Sequence, residues 1–165
     1  IPLRLVGSEM CIRDSYLPGR AGTAMSAGPQ SWHAVGRAAG QLDAQLADFE
    51  HPAAHRLFLW DACQVARVRP MLGAVESADE RARIAAYLDV FEQDVMPALA
   101  ALPCQIIHND LSPSNILVDE AGTDLAGILD FGDMVHAPRI AEIAIAASYQ
   151  MTVAGNPLDL SLIHI

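Results

Sequence analysis

The apolar positions of this chain change their period near Pro103, which separates a helical first part from a second part of short strands and loops. From Trp32 onward Val35, Ala39, Leu42, Leu46 and Phe49 recur at intervals of three and four, one stripe of a helix predicted over 31–48. His51-Pro52 ends it, and a weaker apolar segment over 57–68, read as a short helix, precedes a turn region over 70–76. Ser77 with Glu80 three residues later has the form of a capping box. Ile84, Leu88, Phe91, Val95 and Leu99 then mark a second helical stripe, predicting a helix over 78–102 that Pro97 bends or ends early.

Beyond Pro103 the apolar runs shorten to 105–107, 116–118 and 125–129, each the length of a strand. The last two flank Asp119-Glu120-Ala121-Gly122-Thr123-Asp124, turn residues suited to a hairpin. An Ala-rich segment over 139–151 reads as a mostly buried helix, and 16–22 and 26–30 read as loop. Helices followed by a small antiparallel sheet give an α+β fold class.

Both ends carry strings that bear on what counts as protein. Leu160-Ser161-Leu162-Ile163-His164-Ile165 and Met10-Cys11-Ile12-Arg13-Asp14-Ser15 are encodable by sequences that are nearly reverse complements of each other. Both match a transposon end used in sequencing libraries, and Leu5-Val6-Gly7-Ser8-Glu9 fits the adapter upstream of it. Residues 1–15 and 160–165 are therefore expected to be translated adapter, leaving 16–159 as genuine protein cut at both ends.

Discounting those ends removes two basic and two acidic residues, so the net charge stays at −10. An acidic chain without a single lysine is a poor partner for nucleic acid or an anionic membrane, since neutralising phosphates needs clustered cations. No apolar run reaches membrane-spanning length, and the default compartment is cytoplasmic. Cys63 and Cys104 lack metal-type spacing and read as two buried free thiols.

Chemistry-bearing residues crowd the strand ends: His108, Asn109, Asp110, Ser112, Ser114 and Asn115, then Asp130 and Asp133. Asp110 follows His108 by two, Asn115 follows Asp110 by five, and Asp130 follows Asn115 by fifteen. The string His108-Asn109-Asp110-Leu111-Ser112-Pro113-Ser114-Asn115 resembles the H-x-D-x-x-x-x-N loop of the aminoglycoside phosphotransferase and choline kinase superfamily. Leu129-Asp130-Phe131-Gly132-Asp133 resembles its metal-binding turn, equivalent to the D-F-G of protein kinases.

The resemblance implies a protein-kinase-like fold, of which 16–159 would be part of the mostly helical C-terminal lobe with a small catalytic-loop hairpin. It implies Asp110 as base or orienting group for an acceptor hydroxyl, and Asn115 and Asp130 as ligands of Mg²⁺. The donor would be ATP or GTP, and the acceptor a small-molecule alcohol. Physical chemistry agrees, because in-line phosphoryl transfer needs an aimed hydroxyl and hard oxygen ligands for a divalent cation. The competing reading of Asp110 and Asn115 is an Asx-rich turn that caps local backbone.

The remaining polar residues read as supports. His108, after an apolar strand, is expected to bond backbone near Asp130, and the resemblance implies that Glu142 braces the loop from the next helix, where family members carry an acidic residue. Asp133 can cap its turn, join the metal shell through water or meet a cationic substrate, and turn structure is the expected role. Ser112 and Ser114 can satisfy backbone groups or approach the γ-phosphate.

The string Leu129 to Arg139 narrows the resemblance to the hydroxylysine kinase-like branch and the kinase domains fused to class III aminotransferases, whose substrates are small amino alcohols or hydroxylated amino acids. The phosphate-covering glycine loop and strand lysine of such kinases are missing, and Gly19-Arg20-Ala21-Gly22 is a poor substitute. The chain alone is thus expected to be inactive. Two other readings stay open: a metal-dependent phosphohydrolase built on His108, Asp110, Asp130 and Asp133, and a non-catalytic nucleotide-binding module.

Overall fold

The computed structural model describes residues 17–25 and 28–154, the last five in backbone only. Both terminal strings ascribed to adapter lie outside the described residues.

Strand β1 (Arg20–Ala21) leads to helix α1 (Pro29–Leu46), which starts two residues earlier than its apolar stripe suggests because Pro29 is suited to a first helical turn. Two runs of 3₁₀ turns, Pro52–His55 and Ala62–Ala74, replace the expected short helix over 57–68. The Asp61 side chain accepts from Cys63 N and starts the second run. Helix α2 (Ala78–Val90) is capped by Ser77, whose Oγ accepts from Glu80 N. A π-turn (Phe91–Val95) and helix α3 (Met96–Leu99) continue it. Pro97 has no N–H for the carbonyl four residues back, and the widened turn lies where its ring would otherwise clash.

Strand β2 (Cys104–Ile107) pairs antiparallel with β5 (Val135–Pro138), matching Ile107 with Val135 and Gln105 with Ala137. Strands β3 (Ile116–Val118) and β4 (Leu125–Ile128) form the expected hairpin. Asp119 Oδ1 accepts from Thr123 N and Asp124 N in its turn, and Gly122 takes φ +70°. Strand β1 adds to the outer side of β3, giving the order β1-β3-β4. Helix α4 (Ile140–Ala154) closes the described chain.

One core cluster joins Trp32, Val35 and Ala39 of α1 to Leu111, Ile116 and Ala146. A second holds Ile107, Val135, Ala137 and Ala141, with Phe58 and Cys63 against it. Residues 108–115 link them, following Ile107 of the second cluster and carrying Leu111 of the first.

Four expectations need correcting. The loop over 16–22 contains a strand, because Gly22 lets the backbone close on β3: a Cβ there would sit 2.2 Å from Ile116 Cγ1 and 2.7 Å from the Pro113 carbonyl. Residues 135–138 form a strand the apolar pattern did not reveal, since His136 and Pro138 break its signature. The second apolar stripe is only partly covered: Leu88 is buried, Phe91 and Leu99 are half-buried, and Ile84 and Val95 are exposed. Among the described residues α2 packs on the 3₁₀ segment Ala62–Ala74 and leaves the rest of that face open. Finally, Cys104 is exposed at the start of its strand and Cys63 only half-buried, where desolvation lifts its thiol to about 11.

Gly22→Ala should lower stability by about 1–3 kcal/mol through overpacking against β3, read as a lower urea midpoint with an unchanged slope.

Candidate active site

Strand β2 ends by delivering His108 into the space between the two core clusters, fully buried. Asn109 then adopts φ +69°, a left-handed conformation that asparagine tolerates better than most residues, and the chain turns Asp110 outward. The turned backbone leaves two N–H groups pointing inward. Glu142 Oε2, on α4, accepts both: His108 N at 2.5 Å and Asn109 N at 3.2 Å.

Glu142 is completely buried, and desolvation raises its carboxyl to about 7 while the two backbone N–H groups pull it down. Its Oε1 and Asn109 Oδ1 are buried acceptors without a protein partner. A proton on Oε1 converts one of them to a donor. Asp43 of α1 is a second buried carboxyl, raised to about 6 by desolvation and lowered by nearby Arg139. Gln105 Nε2 donates to its backbone oxygen at 2.8 Å, tying α1 to β2.

His108 uses both ring nitrogens. Nε2 lies 2.8 Å from the Leu129 carbonyl, and Nδ1 accepts from Asp110 N at 3.3 Å, a pair that the neutral Nε2–H tautomer satisfies. Leu129 is held from its other side, where its N–H donates to the Asn115 carbonyl at 2.7 Å. The residue before Asp130 is thus clamped between His108 and Asn115. Asp130 follows at φ +57°, its Oδ1 accepting from Gly132 N at 3.1 Å. Phe131 meets the His108 ring edge-on, with centroids 4.9 Å apart.

Asn115 Nδ2 donates to Asp110 Oδ2 at 2.6 Å and to the Asp110 carbonyl at 3.0 Å. Its Oδ1, like Asp130 Oδ2, has no hydrogen bond from the described residues. An amide oxygen and a carboxylate oxygen left over in this way suit a hard divalent cation that takes its other ligands from phosphate and water. The residues present fit such a metal.

Ser112 is buried and Ser114 exposed, and their hydroxyls bond each other at 2.8 Å. The Ser112 carbonyl also accepts from Asn115 N. Asp133 is the last residue of the 3₁₀ turn Phe131–Asp133 that Asp130 caps. It also lines a cleft of about 370 Å³ with Asp110, Trp60, Asn109, Ile145, Ser148 and Tyr149.

Three contributors escaped the sequence. Tyr149 donates its phenolic O–H to Asp110 Oδ1 at 3.0 Å; its signal was a spacing of seven from Glu142, two turns along one helix face. Arg56 Nη2 donates to the Gly132 carbonyl at 2.6 Å and holds the acidic turn from behind. Trp60 lines the cleft and accepts from Asn109 Nδ2 at 3.4 Å through its carbonyl, with no pattern in the sequence to announce it.

This arrangement of strand, loop, hairpin and acidic turn is that of the protein-kinase-like fold. Aminoglycoside phosphotransferase APH(3'')-Id of Streptomyces rimosus, solved with ADP and streptomycin, superposes with a TM-score of 0.57 over 88% of this chain and 57% of its own, at 23% identity. The profile of the phosphotransferase enzyme family matches residues 13–163, and the chain belongs to that family. Relatives include hydroxylysine kinase of Mus musculus, 34% identical over 157 residues, and of Bos taurus, 31% identical. Each alignment covers 88% of this chain, which spans 42% of the relative. The family implies a nucleotide phosphate donor and a divalent metal. Among the described residues no helix is long and apolar enough to cross a membrane.

The Glu142 carboxyl moves from 4.5 to about 7 on folding. Between those values the folded chain keeps a proton that the unfolded chain has released, so stability falls as pH rises through the window and levels above about 7. Asp43 adds a fall between 3.8 and about 6. Glu142→Gln, which keeps an oxygen for the two N–H groups, should flatten the upper part of that fall in urea midpoints measured against pH.

Proposed function

We propose that this protein is the catalytic-loop part of a small-molecule kinase that transfers the γ-phosphate of ATP or GTP to a hydroxyl of a small amine or amino-acid-like acceptor. One observation carries the reading: the Asp110 carboxylate opens onto a cleft shared with Asp133 and Trp60, while Asn115, its hydrogen-bond partner, anchors the residue before Asp130. Two carboxylates and an indole in one cleft favour an acceptor that carries a positive amine as well as its hydroxyl. The similarity to hydroxylysine kinases points to the same substrate class.

In this reading the acceptor O–H meets Asp110, which orients it and takes its proton as the oxygen bonds to phosphorus. Asn115 Oδ1 and Asp130 would hold Mg²⁺, which neutralises charge on the phosphate oxygens. Ser114, exposed and paired with Ser112, would offer its hydroxyl, with that of Ser112, to the γ-phosphate. His108, Glu142 and Leu129 keep these groups in place and touch neither substrate. A phosphohydrolase that uses His108 as a metal ligand is disfavoured, because both ring nitrogens are engaged inside the protein.

We infer further that residues 16–159 form part of the C-terminal lobe of a cytoplasmic enzyme and that 1–15 and 160–165 are translated adapter, from the near-complementary coding of the two terminal strings. The isolated chain is expected to show no acceptor-dependent turnover, and the whole protein to be fused to or to act with an aminotransferase.

The uninterrupted reading frame, expressed whole, should form ADP or GDP only when an amino alcohol is supplied. Phosphate release without acceptor would instead identify a hydrolase. In that protein Asp110→Ala should lower kcat by about 10²–10⁴-fold while nucleotide binding persists. Asp133→Asn should raise the acceptor KM about tenfold, the loss of one charge-assisted contact, with kcat little changed.

A further inference from the structure

A carboxylate on a two-bond stem has a broad terminal torsion, so Asp110 needs partners to present one oxygen to an acceptor. Its two oxygens are held by different elements. Asn115 Nδ2, from its own loop, takes Oδ2 at 2.6 Å, and Tyr149, from α4, takes Oδ1 at 3.0 Å. The same helix fixes the loop backbone through Glu142, seven residues before Tyr149. Ile145 and Ser148, between them in the chain, line the cleft into which Asp110 opens. One helix face therefore sets the loop's path, the carboxylate's rotation and a wall of the cleft.

Resting on the kinase reading above, we propose that Tyr149 is a positioning residue of the transfer reaction, its phenolic O–H fixing Asp110 in the rotamer that receives the acceptor hydroxyl. The bonded Oδ1 retains a second lone pair, so the phenol does not block the acceptor. In the step itself the acceptor oxygen forms its bond to the γ-phosphorus and the bond from that phosphorus to the bridging oxygen breaks. Its electron pair leaves with the nucleoside diphosphate, and the acceptor proton passes to Asp110. Tyr149 keeps its own proton throughout, and its contribution is orientation. Burial and the adjacent Asp110 both raise the Tyr149 phenol above its ordinary value, as expected of a hydroxyl that must stay protonated beside a carboxylate.

The test compares wild type with Tyr149→Phe, which keeps the ring and removes only the hydroxyl, in the protein expressed from its uninterrupted reading frame. Expected is a fall in kcat of about tenfold, since the reacting groups lose alignment, with both KM values within about twofold because ground-state binding is untouched. A role in packing alone would leave kcat unchanged in the phenylalanine variant, and that result overturns the inference while the kinase reading stands. Wild type without acceptor-dependent turnover overturns both. A second measurement needs no activity: the phenol's ionisation, read as the ultraviolet difference between wild type and Tyr149→Phe, should move to lower pH in Asp110→Asn. Should the phenylalanine variant fail to fold, Tyr149→Leu supplies the reference, and an ionisation unmoved by Asp110→Asn overturns the contact.

Discussion

Burial of the Glu142 carboxylate against the N–H groups of His108 and Asn109 is the constraint from which the rest of the site follows. A carboxyl with no solvent exposure is unfavourable unless hydrogen-bonded, and so are two buried N–H groups at the end of a strand. Each solves the other's problem. With that contact made, the strand cannot continue straight, Asn109 goes left-handed, and Asp110 emerges at the cleft. The helix that carries Glu142 is thereby locked in rotation, which sets where Tyr149 falls.

A second pattern runs through the polar side chains. Asn115 turns its N–H groups toward Asp110 and leaves its oxygen, and Asp130 uses one oxygen on Gly132 and leaves the other. In each side chain one part serves the fold and one oxygen has no hydrogen bond from the described residues. His108 is the opposite case, with both nitrogens engaged inside. The division follows from local geometry, because the loop's inward side offers backbone carbonyls that need donors.

Between the loop and the acidic turn, Leu129 is the mechanical link. Its carbonyl faces His108 and its N–H faces the Asn115 carbonyl, so the hairpin cannot shift without moving both. Arg56 adds a third hold at Gly132, and stacks over Phe58 at 4.5 Å. The turn carrying Asp130 is thus fixed from residues far apart in the chain.

The sequence by itself determined the long helices near 31–48, 78–90 and 139–151, the hairpin and the identity of the loop, because helical period, turn chemistry and the intervals from His108 to Asp130 are local properties of a chain. The bonds of His108 and Glu142 involve backbone groups of other segments; Glu142's was anticipated only through the family resemblance, since no interval in the sequence links it to the loop. What tertiary structure alone decided was burial and partnership. The stripe from Ile84 to Leu99 has helical spacing yet buries only Leu88 fully, since periodicity specifies a face and says nothing of what covers it. Strand β5 exists because β2 offers it a ladder, Asp133 lines the cleft at the end of the turn that Asp130 caps, and Tyr149 reaches Asp110 across 39 residues. Such contacts depend on where whole elements pack, which no interval along the chain records.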